Sequence, residues 1–185
     1  AFLQTLKDQI PETAWPAVYQ QIVAIYQTAE KSTDLPQAQA AAQSLFYLYL
    51  KEKDFDDAEN QLKMLPTEVV AYNAMKPKLQ LQRGQLKEAY ISGEKLLSTG
   101  LSAVSLVLNV LTKVGIADHQ LETAKRYADM SQKIDNLIPI TNPFTFESQL
   151  KIAEASDDPG QAVTILKELL ANITVSYTHL TLPTI

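Results

Sequence analysis

A polar turn followed closely by an alanine recurs four times in this chain, and it constrains the fold more than any other feature. The alanines are Ala58, Ala89, Ala124 and Ala162, with spacings of 31, 35 and 38 residues. Two antiparallel helices approach closely only where a side chain is small, so an alanine just after a turn predicts a helix pair. Four such pairs predict an all-α superhelical stack of antiparallel helix pairs. A single closed four-helix bundle is the alternative.

Apolar periodicity and turn residues place the two helices of each pair. Residue Asp34 is a good N-cap, and Pro36 falls in the first helical turn, where a missing N–H costs little. From there the pattern predicts helices over 37–51 and 54–65, 68–83 and 85–99, 102–114 and 120–137, and 144–155 and 159–172. The third pair is expected to turn at residues 115–118.

Three segments follow from this pattern. We expect incoming helices over residues 1–33, a helical repeat domain over 34–174 and a tail over 175–185 that does not belong to the repeat. The tail is rich in Thr and β-branched residues and resembles a translated sequencing adapter, so we expect it to be non-native or disordered. A genuine disordered or strand-like tail is the alternative. Because the chain starts without Met, we expect it to be a piece of a longer protein.

Composition argues against several classes of function. The net charge is −5 with no cluster of Lys and Arg, whereas nucleic-acid binding needs clustered cations. The absence of Cys removes disulfides, thiolate metal sites and thiol nucleophiles. No apolar run approaches the ~18 residues that a membrane span requires. We therefore expect a cytoplasmic protein with no contact to membranes.

Catalytic and metal-binding motifs are hard to find. Residue His119 lies in a polar turn, where a solvated histidine is the simpler interpretation, and His179 lies in the tail. The pairs Asp56–Asp57 and Asp157–Asp158 precede or open a helix, where carboxylates favour the positive end of the helix dipole. We interpret them as caps rather than metal ligands. We expect no enzymatic activity, no metal and no cofactor.

Two stretches carry a resemblance to known helical proteins. The segments FDDAENQLKMLP and RGQLKEAYISGEKLL resemble the second helix of a tetratricopeptide repeat, and the likeness covers about residues 35–172. The sequence departs from that pattern at Phe46 and Pro77, where the family has small residues. The repeats are therefore degenerate.

The run from Ile10 to Leu62 is similar to the C-terminal helical region of bacterial regulators that carry a Cro-like helix-turn-helix domain. This resemblance implies a DNA-reading domain upstream that is absent here, so DNA would be a partner only through that domain. It implies a sensor or oligomerisation region that binds a peptide, a protein or a second copy as a homodimer. The alternative is a free-standing tetratricopeptide-type adaptor or scaffold, and an enzyme is a distant third.

The resemblance also implies a binding face, because the first helix of each pair lines the concave surface of such a stack. With the alanines aligned, that face carries cations and amides on three successive helices. The predicted peptide-binding residues are Tyr47, Lys51, Lys78, Gln82, Asn109 and Lys113. Ammonium groups favour a ligand with a carboxylate. The alternative is that these lysines only solvate the helices.

Overall fold

The computed structural model of the chain describes residues 7, 9–99, 103–137 and 142–180. These residues form ten α-helices and no β-strand. The helices are α1 (Trp15–Ala29), α2 (Leu35–Glu52), α3 (Phe55–Met64), α4 (Thr67–Tyr72), α5 (Met75–Gln82), α6 (Leu86–Thr99), α7 (Val104–Ala117), α8 (Leu121–Asp135), α9 (Pro143–Ala155) and α10 (Pro159–Leu180). The chain divides into two compact units, residues 1–66 and 67–185. The predicted boundary between residues 33 and 34 falls inside the first unit.

The first unit packs α2 against both α1 and α3. Its centre is the apolar face of α2, where Leu45, Phe46 and Leu48 are fully buried. The helix starts as predicted, because the Asp34 carboxylate accepts a hydrogen bond from the Gln37 N–H.

The turns of all four helix pairs share one backbone geometry. A residue with positive φ ends the first helix of each pair, and these residues are Lys53 (66°), Gly84 (74°), His119 (55°) and Asp157 (53°). The next N–H in each turn donates to the carbonyl five residues earlier, over 2.8–2.9 Å. This is the bonding of a Schellman motif, which satisfies carbonyls at a helix end. The repeat in the sequence is therefore a repeat of local structure.

The alanines stand five residues after these left-handed residues. Three of them, Ala58, Ala89 and Ala124, are fully buried, while Ala162 is half-buried. The N–H of each alanine donates to the carbonyl of the residue that follows the left-handed position, over 3.0–3.2 Å. Each alanine thus lies in the first turn of a second helix, and the first three are buried there.

The second unit is built around α7, which packs against α5, α6, α8 and α9. Helix α7 is apolar on nearly all sides, and every residue from Ser105 to Thr112 is buried. Helix α9 packs in turn against α7, α8 and α10. Helix α7 therefore packs against both α5 and α9, so the three first helices adjoin in the order in which they occur along the chain. Each of them also packs against its own second helix.

The predicted helix over 68–83 is wrong, because the chain forms two helices there. The break lies at Ala74, whose φ is 49°, and α5 begins at Met75. Residue Pro77 is the third residue of α5. In a continuous helix its ring would clash with the carbonyl of Asn73. A proline in the first turn of a new helix avoids that clash.

The predicted turn at 115–118 is also displaced, since α7 continues to Ala117. Residue Gly115 is a buried helical residue and faces Ala124 on α8. A Cβ built at Gly115 would lie 2.9 Å from the Ala124 Cβ and 3.0 Å from its Cα and N. Glycine is needed here for close helix approach rather than for a turn.

The last helix continues to Leu180 although residues 175–180 lack a helical period in sequence. Residues 181–185 of the predicted tail lie outside the described ranges, as do residues 1–6 of the predicted incoming segment.

Candidate functional site

Two of the predicted binding residues come together in the second unit. Residue Lys78 lies on α5 and Lys113 on α7, and these first helices are packed neighbours. On α9, the next first helix, Glu147 accepts a hydrogen bond from Lys113, with 2.7 Å between Nζ and Oε1. The charge of each of these two groups acts on Lys78. We call Lys78, Lys113 and Glu147 the lysine cluster.

The lysine cluster is electrostatically unusual because Lys78 is half-buried. Burial and, to a smaller extent, the charge of Lys113 lower its pKa from 10.5 to about 8, while the charge of Glu147 opposes both effects. Desolvation and a like charge both disfavour the ammonium form. An anion bound at this place would relieve that penalty, so the cluster is suited to a carboxylate.

Residue Asn109 lies on the same helix but is not open to a ligand. Its side chain is 2% exposed, and Nδ2 donates to the Phe144 carbonyl and to Ser148 Oγ, each over 3.1 Å. The Ser148 hydroxyl itself donates to the Phe144 carbonyl over 2.9 Å. A ligand reaching this amide would have to break bonds that fasten α7 to α9. The structure therefore gives Asn109 a packing role.

The other three predicted residues are accessible. Residue Gln82 is exposed on α5, one turn after Lys78. Residues Tyr47 and Lys51 lie one turn apart on α2 in the first unit, both at the surface, with Tyr47 37% exposed. The Tyr47 ring meets Phe46 edge to face at 5.1 Å between centroids. The predicted set is thus split between the two units.

Sequence reasoning missed Glu147 and Ser148, which complete the surroundings of Lys113 and Asn109. The signal for Glu147 lies in the repeat itself. It precedes Ala162 by fifteen residues, as Asn109 precedes Ala124. The position of Asn109 in the third helix pair therefore corresponds to Glu147 in the fourth pair, and this alignment predicts an acidic residue near the lysines.

No family model, curated protein or solved structure matches this chain. Among the described residues, none of the helices is both long and apolar enough to cross a bilayer. The same part of the chain contains no group of three or more His, Asp or Glu side chains placed to hold a metal ion.

Proposed function

We propose that this chain is a non-enzymatic, peptide-binding helical repeat of degenerate tetratricopeptide type. The observation that carries the proposal is the lysine cluster, in which two ammonium groups and the Glu147 carboxylate lie on successive first helices of an acidic chain. The ligand would be an extended acidic peptide or a protein segment that offers a carboxylate to Lys78 and Lys113. Charge-assisted hydrogen bonds of this kind are stronger than neutral ones.

The repeating turn supports the architectural part of the proposal. In each of the four helix pairs, the first helix ends at a residue in the left-handed conformation, and an alanine follows five residues later. A unit of two helices joined by a short turn is what a tetratricopeptide repeat supplies, with a period of about 34 residues. In the second unit, α5, α7 and α9 adjoin in order, as the first helices of stacked repeats do.

The wider role we propose is that of the sensor or oligomerisation region of a helix-turn-helix transcription regulator. Its support is the resemblance of residues 10–62 to such regions, together with the net charge of −5, which suits a region that leaves DNA to another domain. A free-standing adaptor would use the same peptide site. Reading the gene upstream of Ala1 separates the two, since a helix-turn-helix pattern over about 60 residues marks a regulator.

The test is a titration of acidic peptides with free C-termini against wild type and a Lys78→Ala, Lys113→Ala double variant. We expect saturable binding to wild type and a loss of at least about tenfold in the double variant. The matched control is Lys125→Ala, Lys167→Ala, which removes two lysines from second helices of the same unit. Equal affinity in wild type and the Lys78, Lys113 variant would remove the cluster from the site.

A further inference from the structure

Two buried side-chain oxygens in the first unit have no hydrogen-bond donor among the described residues. They are Glu30 Oε1, at the end of α1, and Gln61 Oε1, on α3. The Gln61 side chain is 6% exposed, so water has little access to it. Buried polar groups in native proteins are nearly always paired. Two unpaired acceptors on two contacting side chains therefore call for a common donor.

The side chains of Glu30 and Gln61 are joined by a hydrogen bond. Glutamine donates only from Nε2, and an ionised carboxylate only accepts, so the bond runs from Gln61 Nε2 to Glu30. Because Glu30 Oε1 has no partner, the accepting atom is Oε2. An ionised Glu30 therefore leaves one oxygen of each side chain unpaired. A single proton on Glu30 would supply the missing donor.

The surroundings of Glu30 favour its neutral form. Burial raises the pKa of Glu30, while the bond from Gln61 and the positive charge of Lys31 lower it by less. Residue Glu30 is also the C-cap of α1, and the partial negative charge at this end of a helix disfavours a carboxylate. Position and burial thus act in the same direction.

The other titratable groups near Glu30 come from α2 and from the start of α3. Burial raises the pKa of Tyr49 on α2, and the charges of Asp57, Glu30 and Asp54 raise it further. Three carboxylates therefore act on one hydroxyl, and Glu30 is the one whose own oxygen is buried without a partner. Neutralising Glu30 removes one of these negative charges.

We propose that Glu30 and Gln61 form a proton-binding site, which we call the acid–amide pair. The protonated Glu30 carboxyl donates from Oε1 to Gln61 Oε1, while Gln61 Nε2 donates to Glu30 Oε2. One proton thereby satisfies both unpaired oxygens and closes a ring of two hydrogen bonds between the end of α1 and α3. When the pH rises, the proton passes to solvent and the O–H bond to Gln61 is lost. The pair thus makes the attachment of α1 to α3 sensitive to pH.

The direction of the pH dependence follows from linkage. Because folding raises the Glu30 pKa above its ordinary value of 4.5, the folded chain binds this proton more tightly than the unfolded chain does. The stability that the pair contributes is therefore fully present below pH 4.5 and is lost as the pH rises through the folded-state pKa. The variant Glu30→Gln keeps a donor for Gln61 Oε1 at every pH, so it imitates the neutral carboxyl.

The first experiment is an NMR titration of the full chain, with ¹³C labels at glutamate Cδ and ¹⁵N labels at the glutamine side-chain amides. The Glu30 Cδ signal should titrate with a midpoint above 4.5, and the Gln61 amide signals should move with the same midpoint. A Glu30 midpoint at or below 4.5, or Gln61 signals that do not follow it, would overturn the proposal.

The second experiment follows thermal unfolding of the first unit through the fluorescence of Trp15. This is the one tryptophan of the sequence, and it is buried on α1. At pH 4, Glu30→Gln should melt at the wild-type temperature, because both proteins then offer a donor to Gln61 Oε1. As the pH rises above 4.5, the variant should gain melting temperature relative to wild type, because wild type alone loses its donor.

The matched control is Glu12→Gln, the same change at an exposed carboxylate of the same unit. It measures how much the loss of one negative charge contributes in an acidic chain. We expect the larger gain for Glu30→Gln, and equal gains in the two variants, or none in Glu30→Gln, would contradict the acid–amide pair. Since Lys78 and Lys113 lie in the second unit, this outcome is independent of the proposed peptide site.

Discussion

Replacing Gly115 by alanine tests the closest helix contact in the structure. The new methyl carbon would lie 2.9 Å from the Ala124 Cβ and 3.0 Å from its Cα and N. Carbon atoms in packed interiors prefer separations of about 3.5–4.0 Å. Two of the three crowded atoms are backbone, so no side-chain rotation relieves the contact. Helices α7 and α8 must move apart, in a core where every neighbour of α7 is already packed.

The magnitude follows from two opposing effects. Overpacking of this kind costs about 1–3 kcal/mol, and the backbone partners place Gly115→Ala at the upper end. The helix propensity of alanine over glycine returns up to about 1 kcal/mol. We therefore expect a net loss of about 2 kcal/mol in the free energy of unfolding. At about 2–4 °C per kcal/mol for a chain of this size, the melting temperature should fall by about 4–8 °C.

Two other helical glycines provide matched controls for the same chemical change. At Gly160 the nearest atom to a new Cβ is Asp158 Oδ1 at 3.4 Å, an ordinary contact, so Gly160→Ala should be neutral or stabilising. At Gly93 the nearest atom is the Leu111 Cδ2 at 2.7 Å, which belongs to a side chain and not to the backbone, so the loss should be smaller than at Gly115. The melting temperature should therefore be highest for Gly160→Ala, lower for Gly93→Ala and lowest for Gly115→Ala. A Gly115→Ala variant that melts at or above wild type would refute the reasoning.

Replacing Ala58 or Ala89 by leucine should overpack fully buried positions and lower the free energy of unfolding by about 1–3 kcal/mol, measured by urea denaturation; unchanged midpoints would show that the register is wrong. At Gly84, alanine should destabilise by about 1–2 kcal/mol although its Cβ would meet nothing within 4 Å, because φ is +74°. The converse change His119→Gly, at φ 55°, should raise the melting temperature, and a decrease would contradict the strain argument. Because the pKa of Lys78 falls from 10.5 to about 8 on folding, the unfolded chain holds more protons between those values. Wild type should therefore gain stability relative to Lys78→Gln as pH rises from about 8 to 10.5, and a pH-independent difference would refute the shift.

The helix pairs could be predicted from sequence because their signals are local. Turn residues, caps and alanine spacing act within a few residues, and they located three of the four turns, including the one at Lys53, which holds the left-handed conformation without being glycine. The third turn was predicted at 115–118, whereas its left-handed residue is His119. The break at Ala74 was missed because Pro77 was interpreted as part of a continuous helix. Residue Gly115 was assigned to a turn because glycine favours both turns and close contacts, and only the facing Ala124 distinguishes them.

The candidate site was harder to predict, because it depends on contacts between distant residues. Aligned positions placed Lys78 and Lys113 on two first helices that the structure packs together, but sequence spacing carries no information on burial depth. The sequence therefore predicted that the Asn109 amide faces a ligand, whereas in the structure its Nδ2 group donates to the Phe144 carbonyl and to Ser148 Oγ.

The most direct measurement of the proposed function is the pKa of Lys78, followed by NMR on side-chain-labelled lysine with and without an acidic peptide. In the free protein, the proposal requires a value of about 8, set by burial and by Lys113. A carboxylate bound at the cluster favours the ammonium form, so saturation with the peptide should raise the Lys78 pKa towards 10.5. A peptide that binds without moving the Lys78 pKa would contradict the proposal, because its carboxylate would then lie elsewhere.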